Sequence, residues 1–267
     1  MENKKYKILV LSDLKESDST MLKNTVSVAK MINGDIHFLC VKKPTEIVKK
    51  ENQLSAMRSI NEEHFSAKKS IENLIKPIAE TYKVNISHSL TYGNLKNEIG
   101  SYIKEQQPDI IVVGKRKSNL LSLMGDNVIN YVFKQHKGTI MVSGEENVLE
   151  PNNEFSLGLL NENNETFHFA ENLMEHTQKP LKSFKIVKNS NSVKTSNFNN
   201  KKKVEYVFED NDNAIKNLSN YLLKSNINLL CVNREIEKGS KAKQTKASVS
   251  NIINNLNVSL FFTTGKI

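Results

Sequence analysis

The chain has 267 residues, 38% hydrophobic and 25% charged, with a mean hydropathy of −0.47, which suits a soluble globular protein of one large or two ordinary domains. No run approaches the roughly 20 apolar residues that cross a bilayer, and the apolar part of the N-terminus, "ILVL", is too short for a secretory leader. The net charge is +9, from 38 Lys+Arg against 29 Asp+Glu. The lysines alternate with acidic residues, as in "KKPTEIVKKE", and no basic arm with interleaved aromatics occurs. Specific nucleic-acid binding is therefore disfavoured.

Strand-like and helix-like patterns alternate along the chain. "YKILVLS" (6–12) is a continuous apolar run of the kind buried on both faces of a sheet. After Asp13 a helical period follows, with Ser17, Asp18 and Ser19 as candidate N-caps and Gly34 as its stop. "DIHFLCV" reads as a second strand, and an amphipathic stretch from about Leu54 to Tyr82 as a helix, with a kink expected at Pro77. "VNISHSL" is a third strand, "NLKNEIGSYIKEQ" a third helix and "DIIVV" a fourth strand. A glycine loop, a helix from about Asp126 and the strand "GTIMVS" complete the series. This βαβαβαβαβ order predicts a parallel sheet with helices on both faces. A ligand would sit beyond the carboxyl ends of the strands, where strand order reverses.

Residues 145–153 are polar, contain Pro151 and read as a linker. Beyond them the order returns in weaker form. "FSLGLL", "LKSFKIV", "VEYVFED", "INLLCV" and "VSLFFTT" read as strands, and "ETFHFAENLMEH" and "NAIKNLSNYLLKS" as helices. Where the first half has its long second helix, the second has only the polar segment Lys188–Lys203, which reads as a loop. The fold class is therefore α/β: two tandem open parallel five-stranded sheets with helices on both faces, in domains 1–144 and 154–267. One face of the second sheet is expected to be poorly covered.

"KILVLSDLKES", "DIHFLCV" and "PDIIVVG" with its glycine loop and helix resemble the universal stress protein family, clearly over residues 1–144 and in architecture only over 154–267. The resemblance implies a Rossmann-like fold of the adenine nucleotide alpha hydrolase type. In nucleotide-binding members an aspartate ending the first strand and a valine ending the second contact adenosine. The phosphates lie in a G-x2-G-x9-G-[ST] loop after the fourth strand. Carried over, these positions are Asp13, Val41 and Gly114. Lys117 stands where the second glycine belongs, Gly125 is the helix-opening glycine of a loop two residues short, and Asp126 replaces the Ser or Thr. A carboxylate at that helix start occupies donors that would otherwise hold phosphate. It also repels the phosphate: two unit charges about 4 Å apart near a surface repel by roughly 4 kcal/mol, or about three orders of magnitude in affinity. Lys115, Arg116 and Lys117 form a short basic cluster that can receive an anion. In the second half, Asn161 is taken as the match to Asp13 and Asn233 to Gly114, and no nucleotide is expected there.

Cys40 and Cys231 lie in apolar strands without zinc spacing and read as buried free thiols in a reducing compartment. The six histidines show no metal-binding spacing, and no nucleophile elbow or Walker sequence occurs. The sequence thus supports a cytoplasmic regulatory or protective binding protein, not an enzyme. It acts as a scaffold whose first domain holds a degenerate nucleotide site. The alternatives are an adenine-nucleotide sensor, taking AMP, ADP or ATP, and a weak ATP hydrolase. By the same resemblance the last strands of the two domains would pair within the chain as a pseudo-dimer, two chains would be free to form a homodimer, and the partners would be proteins.

Overall fold

The computed structural model describes residues 5–43, 53–115, 126–161, 170–187, 203–234 and 249–263, with the backbone alone at 53–59 and 126–127. Contacts divide the chain into two units, Met1–Lys137 and Gly138–Ile267.

The first unit contains β1 (Tyr6–Ser12), α1 (Asp18–Ile32), β2 (Gly34–Lys42), α2 (Gln53–Tyr82), β3 (Ile86–Tyr92), α3 (Leu95–Gln106), β4 (Ile110–Gly114) and α4 (Asp126–Gln135). Its strands run in the order β3-β2-β1-β4, all parallel. Ile8, Leu9, Val10 and Leu11 of β1 are all buried, because a central parallel strand has helices over both faces. α2 presents Ala67, Ile71, Ile75 and Ile78 to the core, a spacing of three to four that makes one helical stripe. It runs through Pro77 as a single helix.

The stop of α1 differs from expectation. Asn33 takes the left-handed conformation (φ 54°) and its N–H bonds the Ala29 carbonyl, since Asn tolerates that region. Gly34 instead begins β2, where a Cβ would lie 2.6 Å from Ile8 Cδ1. At α3 the Asn94 side chain accepts the Lys96 and Asn97 N–H groups at 3.1 and 3.3 Å, the ordinary capping geometry.

The second unit contains β5 (Thr139–Ser143), β6 (Leu157–Leu160), β7 (Leu181–Val187), β8 (Lys203–Glu209), α5 (Ala214–Lys224), β9 (Leu229–Asn233), α6 (Val249–Asn255) and β10 (Ser259–Thr263), with a short helical stretch at 170–174. Strand order is β5-β10-β9-β6-β7-β8. β6 to β10 are parallel, in the sequence-position order 3-2-1-4-5 that continues the 3-2-1-4 of the first unit. β5 joins antiparallel to β10, with Leu260 opposite Val142 and Phe262 opposite Ile140. Taken unit by unit, the five-and-five division expected from sequence becomes four strands and six, because β5 pairs with the last strand. Residues 145–153 are held within the second unit. Asn147 Nδ2 donates to the Ile227 carbonyl at 3.1 Å, and Asn228 Nδ2 donates to the Asn147 and Val148 carbonyls.

The face of β7 and β8 that corresponds to the α2 side of the first unit carries Ser183, Lys185, Lys203, Glu205 and Glu209 among Leu181, Val187 and Val207. By register, Ser183 and Lys185 occupy the places of Phe38 and Cys40. Lys185 is ion-paired to the buried Glu205 carboxylate at 2.8 Å. On the other face Phe184, Tyr206, Phe208 and Tyr221 form an aromatic cluster with ring centroids 4.6–6.5 Å apart. Burial of such rings carries much of a small core. Of the segment expected to be a loop, Lys203 opens β8 and the remainder lies outside the described residues.

Candidate functional site

Strand order in the first unit reverses between β1 and β4, the place where a parallel sheet leaves a crevice at its carboxyl edge. The last registered pairs there are Ser12 with Cys40 and Leu11 with Val113. Continuing each ladder by one or two residues sets Asp13 beside Val41 on one side and Lys115 on the other, with Gly114 beside Ser12. Three residues from three separate strands or their ends thus meet at one edge.

Asp13 is the acceptor at its centre. Its side chain is only 6% exposed, and its Oδ2 lies 3.2 Å from the Lys15 ammonium, which is itself 46% exposed. The loop that carries both is fixed from below. Leu14 adopts a left-handed backbone (φ 61°), which a leucine rarely does without compensation. Its N–H donates to Ser12 Oγ at 3.0 Å, that hydroxyl donates to Asp18 Oδ2, and Asp18 also accepts the Lys15 N–H at 3.2 Å. Ser12 and Asp18 are both fully buried. Asp18 follows the Ser17 N-cap, which makes no side-chain cap bond. By sequence Asp18 reads only as a candidate cap, and Lys15 carries no assigned role. The spacing that signals the arrangement is a Ser-Asp pair ending β1 with a second Asp five residues after the first.

Val41 is buried and pairs with Thr91 of β3. The Thr91 hydroxyl is buried without a hydrogen-bond partner among the described residues, a polar atom left unsatisfied at the same edge. Tyr92 OH is likewise unpartnered. Burial, with the nearby Glu63 carboxylate, pushes its pKa upward. Lys42 bonds Glu63 of α2 at 3.4 Å. Cys40 sits just inside this edge, and burial pushes its thiol up to about 12.

Gly114 does not use a left-handed backbone, and among the described residues a Cβ there would meet only Met21 Sδ, at 3.6 Å, an ordinary contact. Against those residues its absent side chain serves neither strain nor packing. Lys115 follows, half-buried. Arg116, Lys117 and Gly125 lie outside the described residues, and Asp126 is the first residue of α4, its side chain outside the description. An unpartnered hydroxyl beside Val41, a buried carboxylate with its ammonium and the clearance over Gly114 suit a polar ligand with both donors and an anionic group.

In the second unit register corrects the alignment. Leu157 opens the β6–β9 ladder as Ile8 opens β1–β4, so Asn161 stands where Ser12 does. The counterpart of Asp13 is Glu162, outside the described residues. Asn161 is structural: left-handed at φ 47°, it accepts the Ile186 N–H on its side-chain oxygen at 3.2 Å. Asn233 does match Gly114. Among the described residues no cluster of three or more His, Cys, Asp or Glu is placed to hold a metal, and no helix is long and apolar enough to cross a membrane.

The family model described as the Universal stress protein family matches residues 6–143. No curated protein matches the chain. Among solved structures, a universal stress protein from Archaeoglobus fulgidus DSM 4304 aligns over 97% of this chain and 96% of its own, with a TM-score of 0.66 and 13% identity. A functionally unknown protein from Pseudomonas aeruginosa PAO1 aligns over 98% and 93%, with a TM-score of 0.59 and 9% identity. At such identities the likeness is one of fold. A universal stress protein family protein from Arabidopsis thaliana with AMP bound aligns over 51% of this chain and 90% of its own, at 15% identity and a TM-score of 0.36.

Proposed function

The chain belongs to the universal stress protein family, and from that premise we propose that it is a regulatory binding protein whose first unit takes a nucleoside monophosphate at the β1–β4 edge. The observation that carries the reading is the meeting of Asp13, Val41 and Gly114 at the point where strand order reverses. Asp13 supplies an acceptor, the Val41 backbone and Thr91 hydroxyl supply polar contacts for the base side, and Gly114 leaves room for a phosphate. Lys115, with Arg116 and Lys117, adds positive charge. Asp126 at the start of α4, after a shortened loop with Gly125, opposes the outer phosphates of ATP, so the favoured ligand is AMP-like. The second unit is a degenerate tandem copy with a structural role. Asn233 in place of Gly114 and the Asn161 side chain committed to β7 support that assignment.

Titration calorimetry of nucleotide-free protein with AMP and ATP, with and without magnesium, tests this directly. AMP binding with weaker ATP binding is the expected outcome. Silence with both ligands removes the nucleotide and leaves the scaffold reading, in which the first unit's edge is a relic and function lies in protein contacts. Steady phosphate release from ATP, lost in Asp13→Ala, would instead establish the hydrolase.

A further inference from the structure

We propose that Lys15 is the specificity-determining residue of the first unit's edge: its ammonium, lying across the Asp13 carboxylate, receives the phosphate of the bound nucleoside monophosphate. This rests on the reading above and adds to it a residue outside the family's glycine loop.

The argument starts from charge. A buried carboxylate alone at a ligand edge repels an incoming anion. Here the carboxylate is 6% exposed and its partner ammonium 46%, so an approaching anion meets the positive end of the pair first. An ammonium carries three donors. One faces Asp13 Oδ2 at 3.2 Å, and an ammonium that keeps this contact still has donors to offer a ligand oxygen. A ligand whose hydroxyl or amine donates to Asp13 necessarily comes within reach of Lys15.

The second line of argument is backbone strain. A surface lysine that only neutralised Asp13 would need no special backbone. Lys15 instead follows a left-handed leucine (Leu14, φ 61°), and the turn is over-determined by Ser12 and Asp18, both buried, through bonds to the Leu14 and Lys15 N–H groups. Strain held by a buried polar pair at a ligand edge is the signature of a positioned group.

The test measures adenosine, AMP and pyrophosphate binding by calorimetry to the wild type, Lys15→Met and Lys15→Arg, with adenosine and AMP compared as a ratio. The ratio of the two affinities is the readout, because losing the ammonium also removes an ion-pair partner of Asp13 and shifts both. The wild type is expected to prefer AMP by roughly ten- to a hundredfold, the scale of one charge-assisted hydrogen bond. Lys15→Met should lower the ratio by roughly tenfold, the remainder being carried by Lys115 and its basic neighbours, and Lys15→Arg should keep most of it. An unchanged ratio in Lys15→Met overturns the role of Lys15 while the nucleoside site stands. If adenosine does not bind but AMP and pyrophosphate bind in a Lys15-dependent way, the nucleoside reading falls and the cation survives. No binding of any of the three to the wild type overturns both. Lys15 is half-exposed, and matching thermal melts confirm that the variants fold.

Discussion

Replacing Gly114 with alanine separates ligand space from structural need. Among the described residues the added methyl meets only Met21 Sδ, at 3.6 Å, an ordinary contact, and the backbone there is not left-handed. Removing a glycine at a compatible position lowers the entropy of the unfolded chain, by about 0.4–1 kcal/mol. The folded protein should therefore be as stable as the wild type or slightly more so, while AMP affinity falls roughly tenfold, about 1.4 kcal/mol, because the methyl projects into the phosphate space. Gly144→Ala is the contrast. Its Cβ would lie 2.6 Å from the Val258 carbonyl carbon, 2.7 Å from Asn257 O and 2.8 Å from Ser259 N. These are backbone atoms that cannot swing away, so it should cost about 1–3 kcal/mol or more. Urea unfolding followed by circular dichroism gives the stabilities, and calorimetry the affinities. A Gly114→Ala protein destabilised as much as Gly144→Ala would refute the packing argument. One that binds AMP like the wild type would remove Gly114 from the ligand edge.

Asp126→Ser should strengthen ATP binding relative to AMP, by up to about three orders of magnitude if the full repulsion of roughly 4 kcal/mol applies; equal gains for both ligands would show that the carboxylate does not oppose the outer phosphates. Burial pushes the thiols of both Cys40 and Cys231 up to about 12, so neither should react with a thiol reagent at pH 8 until the protein unfolds, and fast labelling of the native protein would contradict their burial. His37 is held below its ordinary value of 6.5 by burial first and then by His88, while its ring stacks on Tyr102 and bonds Ser87 Oγ at 2.8 Å. The unfolded state thus binds more protons just below pH 6.5, and stability should decline as pH falls through that range. Urea midpoints at pH 7.5 and 5.5 that differ equally in wild type and His37→Gln would assign the decline elsewhere. Ile71→Ala, at a fully buried position of α2, should cost about 2–5 kcal/mol, read from the same urea curves.

The strands were legible because buried parallel strands are unbroken apolar runs: β1, β4 and β9 stand out by composition alone. The family motif singles out Asp13, Val41 and Gly114 as candidates, and continuing the ladder register sets them at one edge. Other features lay below the resolution of pattern. α6 is seven residues of mostly Asn and Ser around Ile252 and Ile253, too short for its period to register. A one-residue slip in the second unit, Asn161 for Glu162, is invisible in an apolar run that reads the same in either frame, and only strand pairing settles it. The Lys15–Asp13 ion pair is not legible in sequence because it follows a left-handed leucine, a conformation no propensity scale assigns to that residue.

The antiparallel seam of β5 and β10 sets a clock on synthesis. The bond from the Gly144 N–H to Ser259 Oγ spans 115 residues, and a ribosome adding about 5–20 residues per second needs on the order of ten seconds to make them. β1 to β4 are complete well before that, and can pair as they emerge. β5 emerges next and waits, its β10-facing edge bare and its sequence "TIMVS" apolar, until β10 arrives. The exposed interval, more than the finished protein, is where this chain is open to pairing with a neighbour, and slowing translation between residues 144 and 259 should lengthen it.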